Sequence, residues 1–269
     1  MPGTDFVDPA ATAAHLAACV REAGQLALSM FRTSVKQWNK AGSSPVSDAD
    51  IAVDRLLRER LTGAFPGVAW LSEESADDSS RLTARYVWIV DPIDGTRAFL
   101  ADLPDWTVSA ALVESGRPIA ACLFAPVTEE FFLATVHNGA TCNGAAISAT
   151  PGASLARARL AGPRNLVSRL RSFEPDLVVL PRVHSLALRF ARVAQGSVDA
   201  AIAGPDSHDW DLAAADLLVH EAGGALTRVG GGTVLYNRPD PRHGILAAAG
   251  RERLAVLNQR LGDERLASL

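Results

Sequence analysis

The sequence predicts a mixed α and β protein, with an α+β first half and an α/β second half. In residues 1–150, two helical patterns precede several short strands, whereas in residues 151–269 strands and helices alternate. The 269 residues, 48% of them apolar, suffice for one large domain or two packed lobes, and no Gly/Ser linker divides the chain. We therefore expect an N-terminal lobe at 1–150 and a C-terminal lobe at 151–269 that share an interface.

In the first half, Asp8 and Pro9 are typical of a helix start, and apolar residues at helical spacing continue to Phe31. Residues 40–50 then predict a loop ending in a helix cap, before the helical period resumes over residues 51–61. Strands are predicted at 68–71, 87–90, 107–113, 119–124 and 131–136.

In the second half, strands are predicted near 155–160, 177–180 and 198–202, with helices at 164–172 and 184–195. Asp211 opens an apolar helix, and Gly223-Gly224 is a typical C-terminal stop. Gly230, Gly231 and Gly232 lack a nucleotide-binding context and predict a turn.

Composition excludes several classes of function. The 26 basic and 30 acidic side chains give a formal charge of −4, without the basic excess expected for binding nucleic acid polymers or anionic membranes. Cys19, Cys122 and Cys142 form neither a disulfide framework nor a zinc motif, which favours a reducing cytoplasm. The N-terminus has the pattern of neither a signal peptide nor a membrane span.

Five acidic residues lie where secondary structure alone does not require them. Glu73 and Glu74 follow one predicted strand, Asp91 and Asp94 bracket the end of the next, and Asp211 begins a helix. Singly, these residues are ordinary turn, surface and cap positions. Since α/β proteins assemble sites at the carboxyl ends of strands, the five together indicate one functional site.

The segment from Asp91 to Asp94 indicates what that site binds. Its proline restricts the backbone, so that both carboxylates and the Ile93 carbonyl can point to one place. Oxygen ligands without His or Cys favour Mg²⁺ or Mn²⁺, and crowded carboxylates repel one another unless a cation lies between them. The Thr96 hydroxyl could orient a water, and the Gly95 and Thr96 amides could hold phosphate oxygens. The pattern indicates metal-assisted hydrolysis of a phosphate.

Four segments in this order resemble the inositol monophosphatase family: GSSPVSDAD, LSEES, WIVDPIDGT and HDWDLAAADLLVHEAGG. The family also contains nucleotide 3′-phosphatases and histidinol-phosphate phosphatases. The resemblance implies a layered αβαβα sugar-phosphatase fold, a homodimer, and lithium-sensitive hydrolysis of a small phosphate ester with two to three Mg²⁺ ions.

The resemblance also implies which residues bind metal. Glu73, Asp91 and the Ile93 carbonyl match the ligands of a first ion, and Asp91, Asp94 and Asp211 match those of a second. Two such ions would clamp the phosphate and stabilise the leaving oxygen.

The resemblance assigns catalysis to Glu73, Thr96 and Asp50. Asp50 matches the acid that supports a third, weaker metal and the attacking water, with Asp48 as the alternative, and Glu74 matches an outer contact. Thr96 matches the hydroxyl that activates the water.

The substrate is where the sequence departs from the family pattern. Gly204 stands where inositol-cleaving members place a glutamate, and residues 204–207 resemble the GPxS of bacterial 3′-phosphoadenosine 5′-phosphate phosphatases, one residue farther from Asp211. This favours the nucleotide, with inositol 1-phosphate and histidinol phosphate as alternatives and an accessory role in transcription or RNA complexes as a non-enzymatic one. Substrate contacts are expected from the following residues: Gly95, Thr96, Gly204, Ser207 and Asp211.

Four further residues have open roles. Trp106 could stack on adenine, although its place in a strand pattern favours the core or an interface. Arg97 and Arg182 could meet a second phosphate and His208 could contact substrate, or each could be an ordinary surface group.

Overall fold

The computed structural model describes residues 8–39 and 45–262. Its helices are α1 (Pro9–Met30), α2 (Asp48–Ala64), α3 (Thr96–Leu100), α4 (Arg164–Phe173), α5 (Leu186–Ala194), α6 (Asp209–Glu221) and α7 (Arg251–Leu261), with a 3₁₀ helix at Ser79–Thr83. Its strands are β1 (Gln37–Asn39), β2 (Pro45–Ser47), β3 (Ala69–Ser72), β4 (Tyr86–Asp94), β5 (Thr107–Glu114), β6 (Arg117–Ala125), β7 (Glu130–Thr135), β8 (Ala140–Cys142), β9 (Ala145–Ala146), β10 (Arg159–Ala161), β11 (Val178–Val179), β12 (Ala200–Ala203), β13 (Ser207–His208), β14 (Gly224–Arg228), β15 (Arg242–His243) and β16 (Leu246–Gly250).

Two main sheets form the framework. A seven-stranded sheet runs in sequence order from β3 to β9, with β3 and β4 parallel and the other neighbours antiparallel. A five-stranded sheet has the order β11-β10-β12-β16-β14, in which β10 runs parallel to both of its neighbours. Two short antiparallel pairs, β1 with β2 and β13 with β15, lie outside these sheets.

The alternation of buried side chains along β4 shows how the layers stack. Trp88 and Val90 pack in a core cluster with residues of α1 and α2, whereas Val87 and Ile89 pack in a second cluster with α5, α6 and the five-stranded sheet. A third cluster covers the other face of that sheet with α4 and α7. The order is helices, sheet, helices, sheet, helices, which confirms the layered αβαβα expectation.

Several element bounds differ from the sequence expectation. Helix α2 begins at Asp48 rather than after residue 50, because Ser47 and Asp50 form a reciprocal capping box. Strand β4 continues through Asp94 instead of ending at Val90. The strand expected near 155–160 is confined to Arg159–Ala161, because a turn precedes it. The short α3 and the C-terminal α7 were not predicted.

Residues from both halves of the chain share the central cluster, among them Ile89 and Leu218. The division into lobes at residues 150 and 151 stays a prediction. Glycines 230–232 form the expected turn after β14. In the described ranges, no helix combines the length and apolar character needed to cross a membrane.

Candidate functional site

Two parallel strands deliver the first acids to one edge of the seven-stranded sheet. Strands β3 and β4 are parallel, and Glu73, directly after β3, donates its backbone N–H to the Val90 carbonyl at 3.4 Å. Asp91 and Asp94 occupy the end of β4, where every residue is buried. The carboxyl ends of neighbouring parallel strands meet at the same edge, so the three acids converge.

An irregularity in β4 separates its two aspartates. Asp91 pairs with Ser109 and Asp94 with Thr107, so β4 contains one more residue than β5 over this stretch. Such a bulge bends the strand and redirects its side chains. Gly95 then turns the chain with φ of +96°, and a Cβ there would lie 3.1 Å from the Asp105 carbonyl oxygen. Glycine therefore permits both the turn and the close approach.

Asp91, Asp94 and Asp211 form a compact carboxylate cluster. One oxygen from each lies within 4.8 Å of the others. Burial and the neighbouring carboxylates raise the pKa of Asp91 and of Asp211 well above the usual range. Within the described part of the chain, the buried Oδ1 of Asp91 has no hydrogen-bond donor. An orphaned carboxylate oxygen among like charges fits a divalent cation.

Helix α5 holds Asp94 from the opposite side of the site. Oδ2 of Asp94 accepts the Ser185 hydroxyl and the Ala187 N–H, each at 2.6 Å. The same Ser185 hydroxyl caps α5 by accepting the Leu188 N–H at 2.9 Å. Burial nevertheless raises the pKa of Asp94 to about 6. The sequence analysis did not predict the role of Ser185 at this site, although a serine before an apolar helix is a recognisable cap signal.

Asp211 is fixed at the start of α6. It is the third residue of the helix, and its Oδ2 accepts the backbone N–H of His208 at 2.6 Å. The His208 ring stacks on Trp210 with centroids 4.6 Å apart. Burial lowers the pKa of His208, which favours the neutral ring. These contacts hold the Asp211 carboxylate towards the other two aspartates.

The Thr96 hydroxyl contacts both β4 and α2. Its hydroxyl lies 3.1 Å from Oδ1 of Asp50 and 3.1 Å from the Ile93 carbonyl oxygen. The other Asp50 oxygen accepts the Ser47 N–H at 2.8 Å and the Ser47 hydroxyl at 2.6 Å. Burial raises the pKa of Asp50. Of the two aspartates weighed for this position, Asp50 contacts Thr96, whereas Asp48 begins α2.

The sequence did not predict the hydrogen bonds that hold the segment around Glu73. Asp54, on α2, accepts the Ser72 hydroxyl at 2.5 Å and the Ser75 hydroxyl at 2.7 Å. Ser72 and Ser75 flank the Glu73-Glu74 pair, so these two hydrogen bonds to Asp54 hold both ends of the segment that carries the glutamates.

The acids surround a cavity of about 300 Å³, which we call the acidic cavity. Its lining comprises Pro45, Glu73, Asp91, Ile93, Asp94, Gly95, Thr96, Arg97, Arg182, His184 and Asp211. It gathers the five residues expected to bind the first two metal ions, together with Gly95 and Thr96, but its described lining does not include Asp50. The His184 ring, which the sequence reading did not single out, is held by Asp105 with Nδ1 and Oδ2 2.7 Å apart.

Two residues expected to contact substrate do not line the acidic cavity, and their role stays a prediction. The described lining of the acidic cavity includes neither Gly204 nor Ser207. Gly204 follows β12, and Ser207 is buried in β13. Trp106 is fully buried and packs on Phe99 with ring centroids 5.0 Å apart, so the core interpretation of this tryptophan is correct.

Comparisons with known proteins identify the family of this chain. The sequence profile of the inositol monophosphatase family matches residues 8–266. An inositol monophosphatase from Dictyostelium discoideum is 33% identical over 79% of this chain and 83% of that protein. A histidinol-phosphatase from Mycobacterium tuberculosis is 37% identical over 71% of this chain and 77% of that protein.

Other relatives have different names. A 3′(2′),5′-bisphosphate nucleotidase CysQ from Haemophilus influenzae is 28% identical over 70% of this chain and 73% of that protein, and a Nus factor SuhB from Escherichia coli is 31% identical over 79% and 83%. Among solved structures, the extragenic suppressor protein suhB from Bartonella henselae is 26% identical and covers 94% of this chain and 99% of its own, with a TM-score of 0.84.

Proposed function

The chain belongs to the inositol monophosphatase family, whose phosphatases are metal-dependent phosphomonoester hydrolases, and we propose that this enzyme removes the 3′-phosphate from 3′-phosphoadenosine 5′-phosphate. The reaction class rests on one observation above all, the carboxylate cluster of Asp91, Asp94 and Asp211 in the acidic cavity. An acidic site can accept a phosphate ester only if cations reverse its local field.

The donor set suits Mg²⁺. Glu73, Asp91 and the Ile93 carbonyl would hold one ion, Asp91, Asp94 and Asp211 a second, and Asp50 would support a third; Mn²⁺ has the same ligand preference. When bound, the ions supply the positive charge that polarises the phosphoryl group and stabilises the leaving oxygen.

The chain's own residues then position the attacking water. The Thr96 hydroxyl, between Asp50 and the Ile93 carbonyl, can donate its proton to either oxygen and accept a hydrogen bond from that water. Glu73 lines the same cavity and shares in water activation. The backbone amides of Gly95 and Thr96 would hold phosphate oxygens while the water attacks in line.

Metal dependence tests the reaction class. Purified enzyme with Mg²⁺ should release phosphate from at least one of four esters: 3′-phosphoadenosine 5′-phosphate, inositol 1-phosphate, histidinol phosphate and fructose 1,6-bisphosphate. Asp94→Asn should abolish release while circular dichroism stays that of the folded protein. Full activity in EDTA would overturn the assignment. Millimolar lithium should inhibit, and insensitivity would count against the second ion only.

Gly204 supports the substrate choice. Without a glutamate at this position, recognition of inositol hydroxyls lacks a charge-assisted hydrogen bond worth about 1.5–3 kcal/mol, or about ten- to more than a hundredfold in specificity. We expect the nucleotide to give the higher kcat/KM when both esters are measured at saturating Mg²⁺ on one preparation. The choice is wrong if inositol 1-phosphate wins by about tenfold.

A second candidate comes from the relatives named Nus factor SuhB. A role as an accessory factor in a transcription or RNA complex predicts that the chain co-purifies with polymerase or RNA even after Asp94→Asn. The formal charge of −4 gives no support to direct binding of nucleic acid. Activity lost in that variant without any co-purifying partner would favour the enzyme alone.

The proposal includes a cytoplasmic homodimer. Cys19, Cys122 and Cys142 are buried free thiols, which suits a reducing compartment. Light scattering during gel filtration tests the dimer, and fractionation of the native host tests the compartment.

A further inference from the structure

A second cavity shares a wall with the acidic cavity. Its volume is about 920 Å³, and Arg182 lines both cavities. Three more arginines line it: Arg164 and Arg171 from α4, and Arg189 from α5. We call this space the arginine cavity. Its volume lies within the range of about 300–1,000 Å³ typical of ligand pockets.

No acidic residue balances this charge in the lining. The described residues that line the arginine cavity include no aspartate or glutamate, and in the described ranges no carboxylate forms an ion pair with Arg164, Arg171 or Arg182. Some exposed arginines elsewhere are paired, as Arg60 is with Glu22 at 2.9 Å and Arg85 with Glu114 at 2.8 Å. Arg189 interacts electrostatically with Asp94 and Asp105, whereas Arg164, Arg171 and Arg182 have no ion-pair partner in the described ranges, and an anion placed among them would supply one.

Arg189 is held in place by two backbone carbonyls. Its guanidinium donates to the Val183 carbonyl at 2.7 Å and to the Ile202 carbonyl at 3.1 Å, which ties α5 to β12. Arg164, Arg171 and Arg182 are exposed at the rim, where their guanidinium groups can reach a ligand. Arginine suits this task because its planar fork matches phosphate oxygens in a bidentate contact.

Apolar surface lies between the arginines. Pro163, Val167, Val179, Leu180 and Pro181 complete most of the lining, and Val179 is 43% exposed. A site with apolar walls and a charged rim accommodates an anion carried on a ring, such as a nucleoside, better than a fully hydroxylated polyol.

Gly204, the position expected to determine the substrate, lies next to the arginine cavity. A Cβ built on Gly204 would lie 3.6 Å from Cγ of Pro163, which lines the arginine cavity. A glutamate at this position would add negative charge beside the arginines, whereas glycine adds none.

We propose that the arginine cavity binds a second anionic group of the substrate while the scissile phosphate lies in the acidic cavity. The substrate class is a phosphate monoester that bears another phosphate or sulfate on a largely apolar ring skeleton. Arg182 lines both the acidic cavity and the arginine cavity, and Arg164 and Arg171 bind the second anion. This inference rests on the proposed phosphatase function of the acidic cavity.

The test compares two esters that differ in one phosphate, 3′-phosphoadenosine 5′-phosphate and adenosine 3′-monophosphate. The double variant Arg164→Gln/Arg171→Gln is measured against wild type and against Arg58→Gln, an exposed arginine on α2 that serves as the matched control. Wild type should prefer the bisphosphate. The double variant should lower the ratio of the two kcat/KM values about tenfold, through KM, because each guanidinium offers charge-assisted bonds to the second phosphate.

Salt provides a second readout. Raising KCl should increase the KM of the bisphosphate more in wild type than in the double variant, because screening weakens contacts that the variant lacks. Thermal unfolding of all three proteins checks that they are folded. A kcat/KM ratio that stays within about twofold of wild type, or that falls equally in Arg58→Gln, overturns the inference.

The outcomes separate the two proposals. Hydrolysis of both nucleotides without preference for the bisphosphate overturns the arginine cavity alone. Failure to release phosphate from any ester with Mg²⁺ overturns the proposed function and this inference with it.

Discussion

Removing divalent cations should make the protein progressively less stable as pH rises from about 4 to 7, and Asp94 gives the clearest measure. Burial raises the pKa of this carboxyl from 3.8 to about 6, even though Ser185 and Ala187 donate hydrogen bonds to it. The folded protein therefore holds the proton more tightly than the unfolded chain. Ionisation costs no stability below the unfolded pKa, costs more as pH rises towards 6, and reaches about 3 kcal/mol above that.

Urea unfolding in EDTA measures this cost. Between pH 5 and 7.5, Asp94 should lower the free energy of unfolding of wild type by about 1.4 kcal/mol, and Asp94→Asn should lack that part of the slope. At pH 7.5 without metal, the variant should be the more stable protein. Saturating Mg²⁺ should reverse the order, because the variant has lost a ligand.

Asp216→Asn is the matched control. Burial also raises the pKa of Asp216 to about 6, but this carboxyl accepts the Tyr236 hydroxyl at 2.9 Å and does not line the acidic cavity. Its replacement should flatten part of the same pH slope while leaving stabilisation by Mg²⁺ equal to that of wild type. The raised pKa of Asp94 is contradicted if metal-free wild type gains stability over Asp94→Asn between pH 5 and 7.5, and its role as a metal ligand is contradicted if Mg²⁺ stabilises wild type and Asp94→Asn equally.

Three further outcomes are expected. Thr96→Ala should lower kcat with little change in KM, and Thr96→Ser should recover most of the activity; a change in KM alone would assign Thr96 to substrate binding. Asp54→Ala should lower the free energy of unfolding by about 1–3 kcal/mol by leaving the Ser72 O–H without an acceptor, and should raise the Mg²⁺ concentration needed for half-maximal activity by displacing Glu73; an unchanged Mg²⁺ titration would limit Asp54 to stability. Gly204→Glu should raise kcat/KM for inositol 1-phosphate about tenfold or more relative to Gly204→Gln, and equal rates in the two variants would contradict a charge effect.

The parts of the site that the sequence predicts lie close together along the chain. Asp91, Ile93, Asp94 and Thr96 belong to one strand end and its turn, so their spacing already restricts their geometry. Asp211 is distant in the sequence and is assigned to the same metal site through the family resemblance, although its helix has a clear start and a glycine stop at Gly223. The layered fold follows for a related reason, since each helix and strand carries its own hydrophobic period.

The parts that the sequence does not predict depend on contacts between distant segments. The Ser185 hydroxyl reaches Asp94 across 91 positions, and only the packing of α5 against the sheet brings them together. His184 and Asp105 are brought together across 79 positions in the same way. A local pattern can place Ser185 at a helix start, but it cannot identify the carboxylate that the helix will meet. The lining of the arginine cavity likewise comes from α4, α5 and residues 179–182, which no local sequence pattern brings together.

Helix starts explain how the fold tolerates so many carboxylates. Asp50 and Asp211 each occupy the third position of their helices, and Asp94 accepts an amide from the first turn of α5. The positive ends of the three helices offset part of the mutual repulsion. The offset is incomplete, because the pKa of each of these groups remains raised. Asp91 has no such partner at Oδ1 in the described part of the chain, so this oxygen depends most on a bound cation.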